Sequence, residues 1–127
     1  FGRVKKEEQG VDIKKGAMFP LVHGIRALSL KYGVRQSNTF KRIQGLVRCG
    51  GMQERLGRNL ESALILFSDY RLRSHLRQLS GNTDVNKVNN YIEPHRLNRL
   101  ERDLLREALH VVKEFKDWLA SELHIRG

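Results

Sequence analysis

The sequence predicts an all-α fold: an up-and-down bundle of about four helices, two long and two short. Apolar residues recur at spacings of three and four in four separate segments, the period of a helix with one buried face. Proline, glycine and asparagine punctuate the ends of those segments, where helices start and stop. No second periodicity suggests a sheet.

The first helix is expected to begin at Pro20, whose ring pre-sets the first turn, and to stop near Gly33, where glycine suits a left-handed cap. Leu21, Ile25, Leu28 and Tyr32 form its apolar face, leaving His23, Arg26 and Lys31 partly to the sides. A second helix, short and basic, is capped by Ser37 or Asn38 and ends at Gly50-Gly51, with Phe40, Ile43, Leu46 and Val47 inward. The third runs from about Met52 to Leu79 on a stripe of Leu56, Leu60, Ala63, Leu64 and Phe67, and turns cationic beyond Phe67. Gly81 to Glu93 reads as the one substantial loop, because Asn82, Asn86, Asn89 and Asn90 compete with helix by bonding local backbone. The fourth helix opens on a capping box of Asn98 and Glu101. Leu97, Leu100, Leu104, Ala108, Val111, Phe115 and Trp118 follow one stripe, with Leu105, Val112 and Leu119 beside it, a face wide enough to meet two neighbours. Residues 1–15 read as a linker or the end of an upstream domain, with a short strand at Val11 to Ile13, and residues 16–127 as the helical domain.

A chain of 127 residues is long enough for one hydrophobic core. Its 24 Lys and Arg against 14 acids give a net charge of +10, which should attract phosphates, nucleic acid or an acidic protein face. The single Cys49 can form no internal disulfide, and nothing near the start has the apolar core of a secretory signal, so a cytoplasmic location is expected. The longest aliphatic and aromatic run, Ala63 to Phe67, falls far short of the roughly 20 residues that cross a bilayer, so no membrane partner is expected. The opening on Phe1 reads as an excerpt from a longer polypeptide.

The sequence offers no catalytic constellation. His23, His75, His95, His110 and His124 show no metal-ligand pairing. Cys49 sits beside Arg48 at a helix end, where a small apolar residue is the simpler reading than a nucleophile. Gly50-Gly51 lacks the lysine and hydroxyl of a phosphate loop. Glu101 and Asp103, one residue apart in a first helical turn, point away from each other and suit the helix dipole rather than a two-metal clamp. The expectation is a binding or scaffolding piece with no catalytic or metal site of its own.

The most informative charged segment is Arg71-Leu72-Arg73-Ser74-His75-Leu76-Arg77, where Arg71 with His75, and Arg73 with Arg77, form two cationic edges flanking Leu72 and Leu76. A guanidinium there can grip a phosphate or carboxylate. The plainer expectation is that Arg71 pairs with Asp69 or Glu107 and fixes packing. Nucleic acid is the weaker reading, because Tyr32, Phe67, Phe115 and Trp118 mostly occupy apolar stripes instead of offering stacking surfaces.

The segment Asp12-Ile13-Lys14-Lys15-Gly16, followed by Pro20-Leu21-Val22 and Arg26-Ala27-Leu28-Ser29-Leu30, resembles the helical domain known as the putative nucleotidyltransferase substrate-binding domain. Asn38-Thr39 and Arg42, then Arg71-Leu72-Arg73, then Asn90, Ile92 and Pro94, and finally Glu101-Arg102 continue the likeness in order, from about Val11 to Leu123. Ser74-His75 departs from the His-Gln expected after Arg-Leu-Arg, so no role is assigned to those two positions by resemblance. The resemblance implies a domain of bacterial signalling proteins, behind a nucleotidyltransferase domain similar to that of PII-protein uridylyltransferases. Cyclic-nucleotide-binding and CBS domains often stand further upstream in such proteins. It also implies that the transferring carboxylates, with nucleoside triphosphate and Mg as cofactors, belong to that upstream domain, which is the expected partner. Lys14, Arg26, Arg71 and Arg73 are the expected contacts to nucleotide or acidic acceptor. The alternative is a helical dimerisation or signal-relay domain, for which a homodimer is expected.

Overall fold

A computed structural model describes residues 10–124, and four α-helices dominate it: α1 (Phe19–Tyr32), α2 (Thr39–Arg48), α3 (Glu54–Ser80) and α4 (Arg99–Glu122). Each packs against its neighbour in sequence, and α4 returns to α1, so the four close a ring around one core. Leu21, Ile25 and Leu28 enter that core from α1, Ile43 and Leu46 from α2, Leu60 and Phe67 from α3, and Val112 and Phe115 from α4. The fold is the expected all-α bundle with two short and two long helices.

The helix ends follow from local chemistry. Gly33 closes α1 at φ 71°, the left-handed region that costs a side-chain-bearing residue strain. Asn38 Oδ1 accepts from the amides of Phe40 (2.8 Å) and Lys41 (3.3 Å), so Asn38 rather than Ser37 caps α2. Asn98 and Glu101 form the expected capping box of α4, with bonds of 2.8 and 2.9 Å. Where α1 meets α4, Gly24 has no room for a side chain, since a Cβ there would lie 2.6 Å from Phe115 Cε2 and 2.8 Å from Leu119 Cδ2.

Three expectations need correction. Leu100 and Leu104 are 67% and 45% exposed, because the buried stripe of α4 runs through Leu105, Ala108, Val112 and Phe115, one position on from the longer stripe at its N-terminal end. Tyr32 is exposed at the last turn of α1. The stretch Gly81 to Glu93 is not structureless: after a 3-10 turn at Val85–Lys87, Tyr91–Ile92 forms strand β2, antiparallel to β1 (Val11–Asp12) with Val11 opposite Ile92. The expected strand is therefore present. It leads into a π-helical turn at Lys14–Met18 that runs on into α1, and Ile13 and Ala17 are fully buried. Residues 10–15, read as the end of a linker, thus pack against the bundle. The rest of that stretch, residues 1–9, lies outside the described residues. Among the described residues, no helix is long and apolar enough to cross a membrane.

Candidate functional site

Beyond Phe67 the inward edge of α3 continues through Tyr70 and Ser74, both buried, although the sequence there turns polar. Burial of a hydroxyl requires a partner. The Ser74 hydroxyl donates to the Tyr91 carbonyl at 3.3 Å and accepts from Gln78 Nε2 at 3.0 Å. Gln78 also bonds both backbone groups of Asn89, its amide donating to the carbonyl (3.0 Å) and its oxygen accepting the N–H (2.9 Å). One turn back, Asn90 Oδ1 accepts from Arg71 Nε and His75 Nε2, each at 2.8 Å. Residues 71, 74, 75 and 78 are successive neighbours on one helix face, so α3 grips the segment 89–91 along two turns.

The opposite edge of α3 faces the start of α4. Arg73 Nη1 donates to Glu101 Oε2 at 2.7 Å, Arg73 Nε lies 3.3 Å from Asp69 Oδ2, and the guanidinium sits 4.7 Å from the centre of the Tyr70 ring. The Tyr70 hydroxyl donates to the Glu101 carbonyl at 2.9 Å. The Asn98 amide foremost, and then Arg73, hold the Glu101 carboxyl below its ordinary range. The bond to Glu101 raises Arg73, and burial, with Glu101 next, raises Tyr70.

Between these edges lies a cleft in which Tyr70, Arg73, Ser74 and Arg77 of α3 face Ile92, Glu93, Arg96, Leu97 and Glu101. Its volume is about 70 Å³. Pockets that enclose drug-sized molecules run to roughly 300–1,000 Å³, so this cleft admits a single anionic group and not a nucleotide. Three arginines against two glutamates give it a cationic bias. A wider groove of about 280 Å³ between α2 and α3 is lined by Arg48, Arg58, Glu54 and Glu61 in equal balance and by apolar Ile43 and Val47, and so selects no charge.

Of the residues expected to contact an anion, Arg73 alone lines the cleft. Arg71 stands on the other edge of α3, and it bonds Asn90 rather than the expected Asp69 or Glu107; Asp69 goes to Arg73. Lys14 follows Ile13, whose amide donates to the Asn90 carbonyl at 2.9 Å, and its ammonium lies 5.3 Å from the Phe19 ring centre. Arg26 is exposed on α1 and does not line the cleft. Arg77 and Arg96 belong to the cleft but were not among the expected contacts. Arg77 was legible as the neighbour of Arg73 one turn on, whereas Arg96, in a 3-10 turn at Pro94–Arg96, carried no periodic signal. Among the described residues, no three His, Cys, Asp or Glu side chains are placed to hold a metal ion.

An all-helical bundle with an open, arginine-lined cleft at one edge of its longest helix is a small binding domain. The chain belongs to the family described as putative nucleotidyltransferase substrate binding domain, whose model matches residues 1–123. The comparisons with curated proteins and with solved structures find no match.

Proposed function

We propose that this accessory domain forms one wall of the substrate cleft of a nucleotidyltransferase related to the PII-protein uridylyltransferases, and holds the nucleotide or an acidic acceptor there. Binding of this kind positions reactants and leaves the transfer itself, with nucleoside triphosphate and Mg, to carboxylates of a nucleotidyltransferase domain. The supporting observation is the cleft beside Arg73, Arg77 and Arg96, which is cationic yet too small to enclose a substrate without a second wall. In this reading Arg73 and Arg71 approach the ligand from the two edges of α3, with Lys14 and Arg26 on the surrounding surface. The parent would be a bacterial, cytoplasmic signalling protein carrying regulatory CBS or cyclic-nucleotide-binding domains.

Arg77 is the most direct test, because it is exposed and its charge is not used by the capping network around Glu101. In a protein that carries this domain together with the nucleotidyltransferase domain, Arg77→Glu should weaken nucleotide or acceptor binding about tenfold, the loss of one charge-assisted contact. Calorimetric titration of both ligands reads the effect. Unchanged affinity for both, in Arg77→Glu and in charge reversals at Lys14, Arg26, Arg71 and Arg73, would rule the reading out.

A further inference from the structure

The solvent face of α3 carries a second feature that the cleft does not use. Ile65, Leu72, Leu76 and Leu79 are exposed by 59%, 57%, 55% and 44%. Their spacings of seven, four and three residues are those of a coiled-coil seam, and they place all four in one stripe about 21 Å long. Single exposed leucines are ordinary, but a row of four in helical register is the mark of a contact surface. The buried edge of the same helix is accounted for by Leu60, Phe67, Tyr70 and Ser74 on the opposite side.

Charge tells what the stripe fits. Arg71 and His75 border it on one side and Arg73 and Arg77 on the other, while Asp69, the one acid between Ile65 and Leu79, takes the seam position between Ile65 and Leu72 and is paired with Arg73. Arg71, by contrast, bonds the neutral side chain of Asn90. We propose that this stripe seats an amphipathic helix of a partner protein whose own apolar seam is bordered by aspartate and glutamate. A second copy of this chain fits poorly: in an antiparallel pairing centred on Leu72 each edge of the stripe meets its own counterpart, so that Arg71 faces Arg71 and Arg73 faces Arg73, and both chains carry +10. A lipid surface has the right charge but needs no register, whereas the seam spacing is the one that knobs of a facing helix require. Seated there, the partner's carboxylates on one side would stand opposite Arg73 and Arg77, at the mouth of the cleft. The inference goes beyond the wall reading and does not depend on it.

The test is a fluorescence-anisotropy titration of the 127-residue chain with two labelled peptides of about three heptads, both with a leucine seam, one flanked by glutamate and one by lysine. The glutamate peptide should bind at least about tenfold tighter, and should lose about tenfold on Leu72→Ser/Leu76→Ser and on raising salt from about 0.05 to 0.5 M. Leu30→Ser, at an 85% exposed position of α1, should change nothing. Circular dichroism checks that the variants stay folded, and the comparison of the two peptides on the unaltered chain stands even if one does not. Equal binding of the two peptides, or binding indifferent to the double substitution, overturns the proposal. So does a dimer in sedimentation equilibrium that the double substitution abolishes, or attachment to phosphatidylserine vesicles without peptide binding.

Discussion

Glu101 serves three neighbours at once. Its side chain accepts the Asn98 amide and the Arg73 guanidinium, and its carbonyl accepts the Tyr70 hydroxyl. Only the first of these was legible in the sequence, because a capping box is a contact between residues three apart. Arg73 lies 28 positions away, and nothing local announces that partner. The lowered pKa of the carboxyl fixes the sign of a pH effect. A group whose folded pKa lies below its unfolded one stabilises the fold above the unfolded value and loses that contribution as pH falls through the folded value. Glu101→Gln should therefore reduce stability at neutral pH, with the difference from the unaltered chain closing progressively below about pH 4. Urea unfolding at a series of pH values reads this directly; a constant difference across the acid range would contradict the assignment.

At the scale of elements, the caps and turns were the most legible features and the long stripes less so. Pro20, Gly33, Asn38 and Asn98 mark ends by chemistry confined to a few residues. Leu100 and Leu104 satisfy the helical period as well as Leu105 does, and which of the overlapping stripes is buried depends on where α3 lies, which the period does not encode. The asparagine-rich connection illustrates the same limit. Local bonding was expected of it and is found, with Asn89 Oδ1 accepting the Tyr91 amide at 3.1 Å, but its docking through Asn90 onto Arg71 and His75 spans 19 and 15 positions. Asn90→Ala leaves both donors without that acceptor and should cost about 1–2 kcal/mol. Because the Asn90 carbonyl also receives the Ile13 amide, hydrogen exchange at Ile13 should quicken about tenfold relative to the core of α4. An unchanged exchange rate would show that the side chain of Asn90 does not hold the segment.

For the whole molecule, the ring closes where α4 returns to α1, and Gly24 is the condition for that closure. Two helices come this close only where one lacks a side chain, and Phe115 and Leu119 already fill the space. Gly24→Val should lower stability by about 2 kcal/mol or more through overpacking, in spite of valine's smaller backbone entropy loss. Thermal unfolding followed at 222 nm measures it, and a melting temperature equal to or above that of the unaltered chain would disprove the close approach. A helical glycine in an apolar face is visible in the sequence, but what it makes room for is not, because Phe115 and Leu119 stand more than ninety positions away.

The little two-stranded pairing gives the domain a mechanical property. Val11 and Asp12 are zipped to Tyr91 and Ile92, the next amide, that of Ile13, is fastened to Asn90, and Asn90 is held in turn by Arg71 and His75. Traction on the backbone at Gly10 is therefore passed through the strand pairing and the Ile13 amide to the segment 89–91, which Arg71, Ser74, His75 and Gln78 fasten to the cationic stretch of α3.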